Sequence, residues 1–193
     1  FDGNDRRGID VAILYRKSVM TPSSITRRQP VTDDGDTIQT RDMLNVYMNL
    51  KSASEGHQGI YFIVNHHPSK YGGEEESRIN RHFAMKTLKS LVDSLNTMNP
   101  GGKIIAMGDF NDTPDSEPFE IISQVLVNKG FPLHEKGLGT IRYEGKWDLI
   151  DMFLVSPDID PDTQMEIVKV PFLMVRDTKH PGEKPLRTYS GPK

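Results

Sequence analysis

The sequence contains no cysteine. That removes disulfides, thiolate metal sites and a cysteine nucleophile from consideration, while leaving the cellular compartment open. It also lacks any apolar run approaching the ~20 residues of a membrane span. An excess of either charge is lacking: the net value is -3, which argues against a broadly basic coat for nucleic acid but leaves room for a local basic groove. Neither an internal repeat nor a low-complexity tract is present. The chain opens at Phe1 without a recognisable signal peptide. Its tail, "RTYSGPK", carries no helix stop and no finished strand, so a fragment is expected.

What remains is 193 residues, enough for one ordinary domain that buries roughly 70% of its unfolded surface without staples. Ile9 to Tyr15, "IDVAILY", is apolar and rich in β-branched residues, which predicts a buried strand. Residues 16–42, with Pro22, Pro30 and Gly35, predict a long loop holding at most a short extended piece. Met43 to Leu50 and Gly59 to Val64 predict a hairpin across "KSASEGHQ". Apolar residues from Ile79 to Met98 recur at helical spacing, with Ser77 as the expected cap and Asn99-Pro100-Gly101-Gly102 as the stop. A strand over Lys103 to Met107 follows, then a helix from Glu117 to about Asn128, capped by Ser116 with Pro118 in its first turn. Strands are expected over 140–143, 149–155 and 165–175, the last broken at Pro171. Strands outnumber helices, and hairpins mix with strand-helix-strand units. The expectation is a single α/β domain over 1–193, a layered sandwich of mixed, mainly antiparallel sheets with outer helices.

Chemistry concentrates where strands end. In "KIIAMGDFNDTP", Asp109 and Asn111 sit two apart just past an apolar run, so extended geometry turns both heads one way and Phe110 the other. A carboxylate beside a carboxamide suits the handling of water or metal, although Gly, Asp and Asn also favour a plain turn. Asn65-His66-His67 ends a second strand in the same manner, and one histidine there can move a proton or orient a phosphoryl oxygen. Adjacent histidines point to opposite faces, so the two do not share an ion. Ser69 and Lys70 follow within reach of an anion, and Arg7 precedes the first strand where a guanidinium can fork onto phosphate. Asp151, inside "LIDMFLV", is either an edge carboxylate facing water or one that orients a histidine.

Four stretches in this order, "RRGIDVAILYR", "VNHHPSKYGG", "GDFNDTP" and "WDLIDMFLVS", together resemble the endonuclease/exonuclease/phosphatase family, the deoxyribonuclease I-like phosphodiesterases and phosphatases. "VNHHPSK" looks like a segment of bacterial, often exported, members. The resemblance implies a magnesium-dependent (or manganese-dependent) phosphate-ester hydrolase acting on nucleic acid or a small phosphorylated molecule. It implies that Asp109 orients or deprotonates the attacking water, that Asn111 steadies the nucleophile, and that His66 donates to a non-bridging oxygen. Asp151 would orient a C-terminal histidine, Arg7, Ser69 and Lys70 would contact phosphate, and Asp109 with Asn111 would be weak metal candidates. His67 receives no catalytic role. The family's N-terminal metal-binding glutamate and its Ser-Asp-His segment have no match in this sequence. The resemblance therefore also implies a domain truncated at both ends, slow or inactive by itself, with a non-catalytic binding module of the same fold as the alternative.

Overall fold

The computed structural model describes residue 5 and residues 8–51, 59–70 and 73–186. Ten strands and three α-helices are defined: β1 (Met20–Arg28), β2 (Met43–Leu50), β3 (Ile60–His66), α1 (Glu74–Met98), β4 (Lys103–Asp109), α2 (Glu117–Ile122), β5 (Val127–Asn128), α3 (Phe131–His134), β6 (Ile141–Tyr143), β7 (Lys146–Asp148), β8 (Asp151–Val155), β9 (Met174–Arg176) and β10 (Glu183–Pro185). Six strands form one sheet in the order β1-β2-β3-β4-β8-β5, and β6–β7 and β9–β10 are separate antiparallel pairs. Within the large sheet only β3 and β4 run parallel. The expected mixed, mainly antiparallel sheet with outer helices is the fold.

One face of the sheet carries the core. Ile63, Ile104, Ala106, Met152 and Leu154 pack against Ala84, Leu88, Val92 and Leu95 of α1 and against Phe119 and Ile122 of α2. The 25-residue α1 is long enough to span the sheet and returns the chain from β3 to a parallel β4, the connection such a pair needs. Its apolar stripe is narrower than expected, since Ile79 and Met98 face solvent. Ser77 is not the cap. Gly73, at φ 134°, precedes the helix, which begins at Glu74.

Several expected elements differ. Ile9 to Tyr15 is not a strand and not buried: it forms no ladder, and Leu14 is 99% exposed. Apolar content alone does not make a strand when no ladder partner lies alongside. The strand lies instead in the expected loop, as β1, whose nine residues pair with β2 through a bulge at Pro22/Ser24. β2 and β3 do pair as a hairpin; its turn falls outside the described residues. α2 stops at Ile122, after which Val127–Asn128 pairs with β8; burial of Ile122 and Leu126 is met by a tight turn rather than more helix. Residues 165–170 are irregular, and Pro171 opens a 3-10 turn before β9, its missing N–H breaking any ladder there.

Candidate active site

Register across three neighbouring strands assembles the site. His66, the last residue of β3, pairs with Asp109, the last of β4, and Asp109 pairs with Asp151, the first of β8. Side chains alternate along each strand, so this row lies on the face opposite α1, below the apolar rows Val64–Met107–Phe153 and Phe62–Ile105–Val155. His66 Nε2 stands 3.6 Å from Asp109 Oδ2, with both side chains a little over a quarter exposed. The two histidines split as strand alternation requires: His67 turns inward, edge-on to Phe110 at 4.9 Å, and Phe110 is fully buried. Asp151 is exposed at the start of β8, where β4 lies on one side and β5, paired only with Leu154 and Val155, does not reach the other.

Backbone hydrogen bonds hold these tips together. His67 N–H donates to Asp109 O at 2.9 Å, and Phe110 N–H donates to Ile150 O at 2.8 Å. Asn111 N–H donates to Asp109 Oδ1 at 2.8 Å, and Asn111 Nδ2 donates to His67 O at 2.9 Å. Thr140 Oγ1 accepts from the Ile150 and Asp151 amides, tying the entry of β8 to the β6 hairpin. Gly108, at φ 134°, permits the closest approach: a Cβ there would sit 2.0 Å from Asn65 O. The glycine serves strand contact rather than a ligand's approach.

The row is electrostatically uneven. Burial, reinforced by the neighbouring Asp151 carboxylate, pushes Asp109 up to about 6. The Asn111 amide and the Arg41 guanidinium pull the other way. Near neutrality Asp109 is therefore a base poised close to the working pH, as general-base chemistry favours. His67 is held down to about 3 by burial, with His66 and Arg81 adding repulsion, so it stays neutral and structural.

Of the expected phosphate contacts, Arg7 lies outside the described residues. Ser69 is half-buried in the turn after β3, and Lys70 leans onto Asp112, with Nζ 3.3 Å from Oδ1. Sequence reading gave no role to Asp112, to Arg81, which meets it at 2.7 Å, or to Arg41, buried beside Asp5 at 3.1 Å. A signal for Arg81 was available: it lies one helical turn from Ser77 on the stripe that Met85 and Leu88 bury. A cavity of about 550 Å³ opens beside the row, touching Gly108, Asp151, Phe153 and Trp147.

The sequence model of the Endonuclease/Exonuclease/phosphatase family matches residues 1–193. The chain belongs to that family. Its description names endonuclease, exonuclease and phosphatase, all phosphoester hydrolases. No curated protein matches the chain. Among solved structures, the human nocturnin catalytic domain with bound sulfate superposes with a TM-score of 0.55 at 13% identity, over 73% of this chain and 50% of that one. Truncated Caenorhabditis elegans TDP2 gives 0.51 at 12%, over 72% and 53%. The mannosyl-6-phosphatase of Bacteroides thetaiotaomicron gives 0.50 at 16%, over 74% and 55%. The chain spans about half the length of these structures, and at such identities they speak for the fold alone.

Magnesium, the cation the resemblance implies, takes one or two carboxylates, waters and phosphate oxygens rather than a dedicated cage. Asp109 and Asp151 offer carboxylates of that kind on neighbouring strands, and a cation beside them would offset the burial and, secondarily, the repulsion that lift Asp109. Among the described residues no group of three or more His, Asp or Glu is arranged to hold an ion. These residues fit an ion that water and substrate complete.

Proposed function

We propose that the row His66–Asp109–Asp151, with Asn111, is the catalytic end of a divalent-metal-dependent phosphate-ester hydrolase. One observation carries the reading: three adjacent strands end in register on an imidazole and two carboxylates, with His66 Nε2 3.6 Å from Asp109 Oδ2. Phosphoryl transfer to water asks for an in-line nucleophile, charge relief on the equatorial oxygens and help for the leaving group. Asp109 orients and deprotonates the water. Asn111, fixed by its two hydrogen bonds, steadies the nucleophile. His66 donates to a non-bridging oxygen. Asp151 keeps Asp109 basic and is placed to orient a second donor. Ser69 and Lys70 lie on the rim where a phosphate would enter. A magnesium or manganese ion, when bound, would supply Lewis-acid relief of the phosphoryl charge at the Asp109–Asp151 side.

The net charge of -3 favours a small phosphorylated molecule over a nucleic-acid polymer, whose phosphates demand a basic track. Screening the protein with magnesium against DNA, nucleotides, sugar phosphates and lipid phosphates tests both levels of the reading. Release of phosphate or cleavage of a diester from any class supports it. No turnover of any ester by the full-length protein that carries residues 1–193, with magnesium or manganese saturating, contradicts it.

A further inference from the structure

Asp112 is the one acid of "GDFND" without a part in the chemistry above, and it is 6% exposed. Its Oδ2 accepts from Arg81 Nε at 2.7 Å, and Lys70 Nζ lies 3.3 Å from its Oδ1. Arg81 is itself 1% exposed and donates through Nη1 to Ser77 Oγ at 3.0 Å. Asp112 thus ties together α1, the turn after β3 and the turn after β4. Those two turns follow directly on His66 and on Asp109.

Asn111, immediately before Asp112, adopts φ 52°. Asparagine enters this left-handed region more readily than other non-glycine residues, and here two hydrogen bonds fix the conformation. Its own two hydrogen bonds run to Asp109 Oδ1 and to His67 O. The next anchor along the chain is the Arg81–Asp112 pair. Buried ion pairs contribute little net stability against apolar replacements of similar size, so stability is a weak account of this one.

We infer that Arg81 and Asp112 are positioning residues: their buried pair pins the turn after β4 to α1 and so fixes Asn111 against Asp109 and His67. The inference rests on the catalytic reading of that row. It adds two residues that touch no substrate and act through Asn111, and it makes Lys70 a rim cation whose direction Asp112 sets.

The test uses Arg81→Met, Asp112→Leu and the double variant, with Asp112→Asn as the conservative change that keeps an acceptor for Arg81. Three quantities are read: Tm, hydrogen exchange at the Asn111 amide, and kcat and KM for 4-nitrophenyl phosphate and its bis ester with magnesium. Each single variant lowers Tm, Asp112→Leu by leaving the buried Arg81 charge without its carboxylate and Arg81→Met by leaving Asp112 only Lys70, and the double variant regains most of it. Positioning predicts that the double variant still exchanges the Asn111 amide at least tenfold faster than the native protein, while Ile105 and Ala106 amides keep their rates. It also predicts a kcat at least tenfold lower with KM within about threefold, and partial rescue in Asp112→Asn. Native exchange at Asn111 in a refolded double variant overturns the inference. Should the double variant not fold, Arg81→Met carries the same exchange readout, with acceleration confined to Asn111 supporting the inference and none overturning it. Absence of native turnover sinks the hydrolase reading, whereas the exchange arm still judges the tether.

Discussion

Asp109 and His67 sit within one hydrogen bond of each other along the backbone and are pushed in opposite directions. In metal-free protein the Asp109 carboxyl is expected to titrate near 6, and Asp151→Asn is expected to lower that midpoint by removing a like charge. Carboxyl-carbon NMR across pH 3 to 8 measures both; an unchanged midpoint in the variant would make burial the whole cause. The linkage signs also differ. Asp109 is raised in the fold, so its contribution to stability is full below the unfolded value of 3.8 and is lost as pH rises through about 6. His67 is depressed, so its contribution is full above 6.5 and drains away as pH falls toward about 3. Between about 6 and 3.8 the two slopes oppose each other, so the net acid weakening from this pair falls just below pH 6.5 and again below 3.8. Replacing the histidine by an aromatic of similar shape, His67→Phe, is expected to raise Tm relative to the native protein progressively as pH falls from 6.5 to 4, because only the opposing Asp109 slope remains. A decline as steep as in the native protein would show that other groups dominate. At this scale the sequence was informative about heads and silent about surroundings. Asp109, Asn111 and His66 announce themselves by standing at strand ends. Arg81 and Asp112 lie 31 positions apart, and no spacing rule joins a helix residue to a distant turn.

Elements deliver these heads only because β3 and β4 are parallel and end level. Gly108 permits that: any side chain would drive its Cβ into Asn65 O, 2.0 Å away, and would add the strain of φ 134°. Gly108→Ala is expected to cost more than about 1 kcal/mol of stability by denaturant titration and to open the His66–Asp109 contact. A neutral change in stability would mean that the β4 tip has slack. The elements that the sequence disclosed, β2, β3, β4, β8 and α1, have strong periodicity or dense β-branched runs bounded by turns. The ones it misjudged, Ile9 to Tyr15 and 165–170, have the composition of strands without ladders. Pairing is a tertiary fact, and local pattern does not contain it.

On the scale of the molecule, the sheet is covered unevenly. Helices seal one face, while Ile25 and Phe153 on the other remain 51% and 42% exposed, next to cavities of about 360 and 550 Å³. Val168 and Phe172, which border that side, are also exposed. Exposed apolar surface of this extent is expected to bind a solvatochromic apolar dye under native conditions. A polypeptide of residues 1–193 should raise the fluorescence of such a dye well above that of a sealed globular control, and no enhancement would mean that this face is covered in solution. The reactive row lies at the end of this same face, so whatever covers it shapes access to Asp109. The central claim is that Asp109 performs chemistry rather than holding the fold. Its most direct test is kcat for Asp109→Asn with magnesium, on whichever phosphate ester the native protein turns over, alongside its Tm. The account predicts a loss of about 100-fold or more with Tm lowered by no more than about 2 °C; native turnover, or a collapse in Tm that explains the loss, would contradict it.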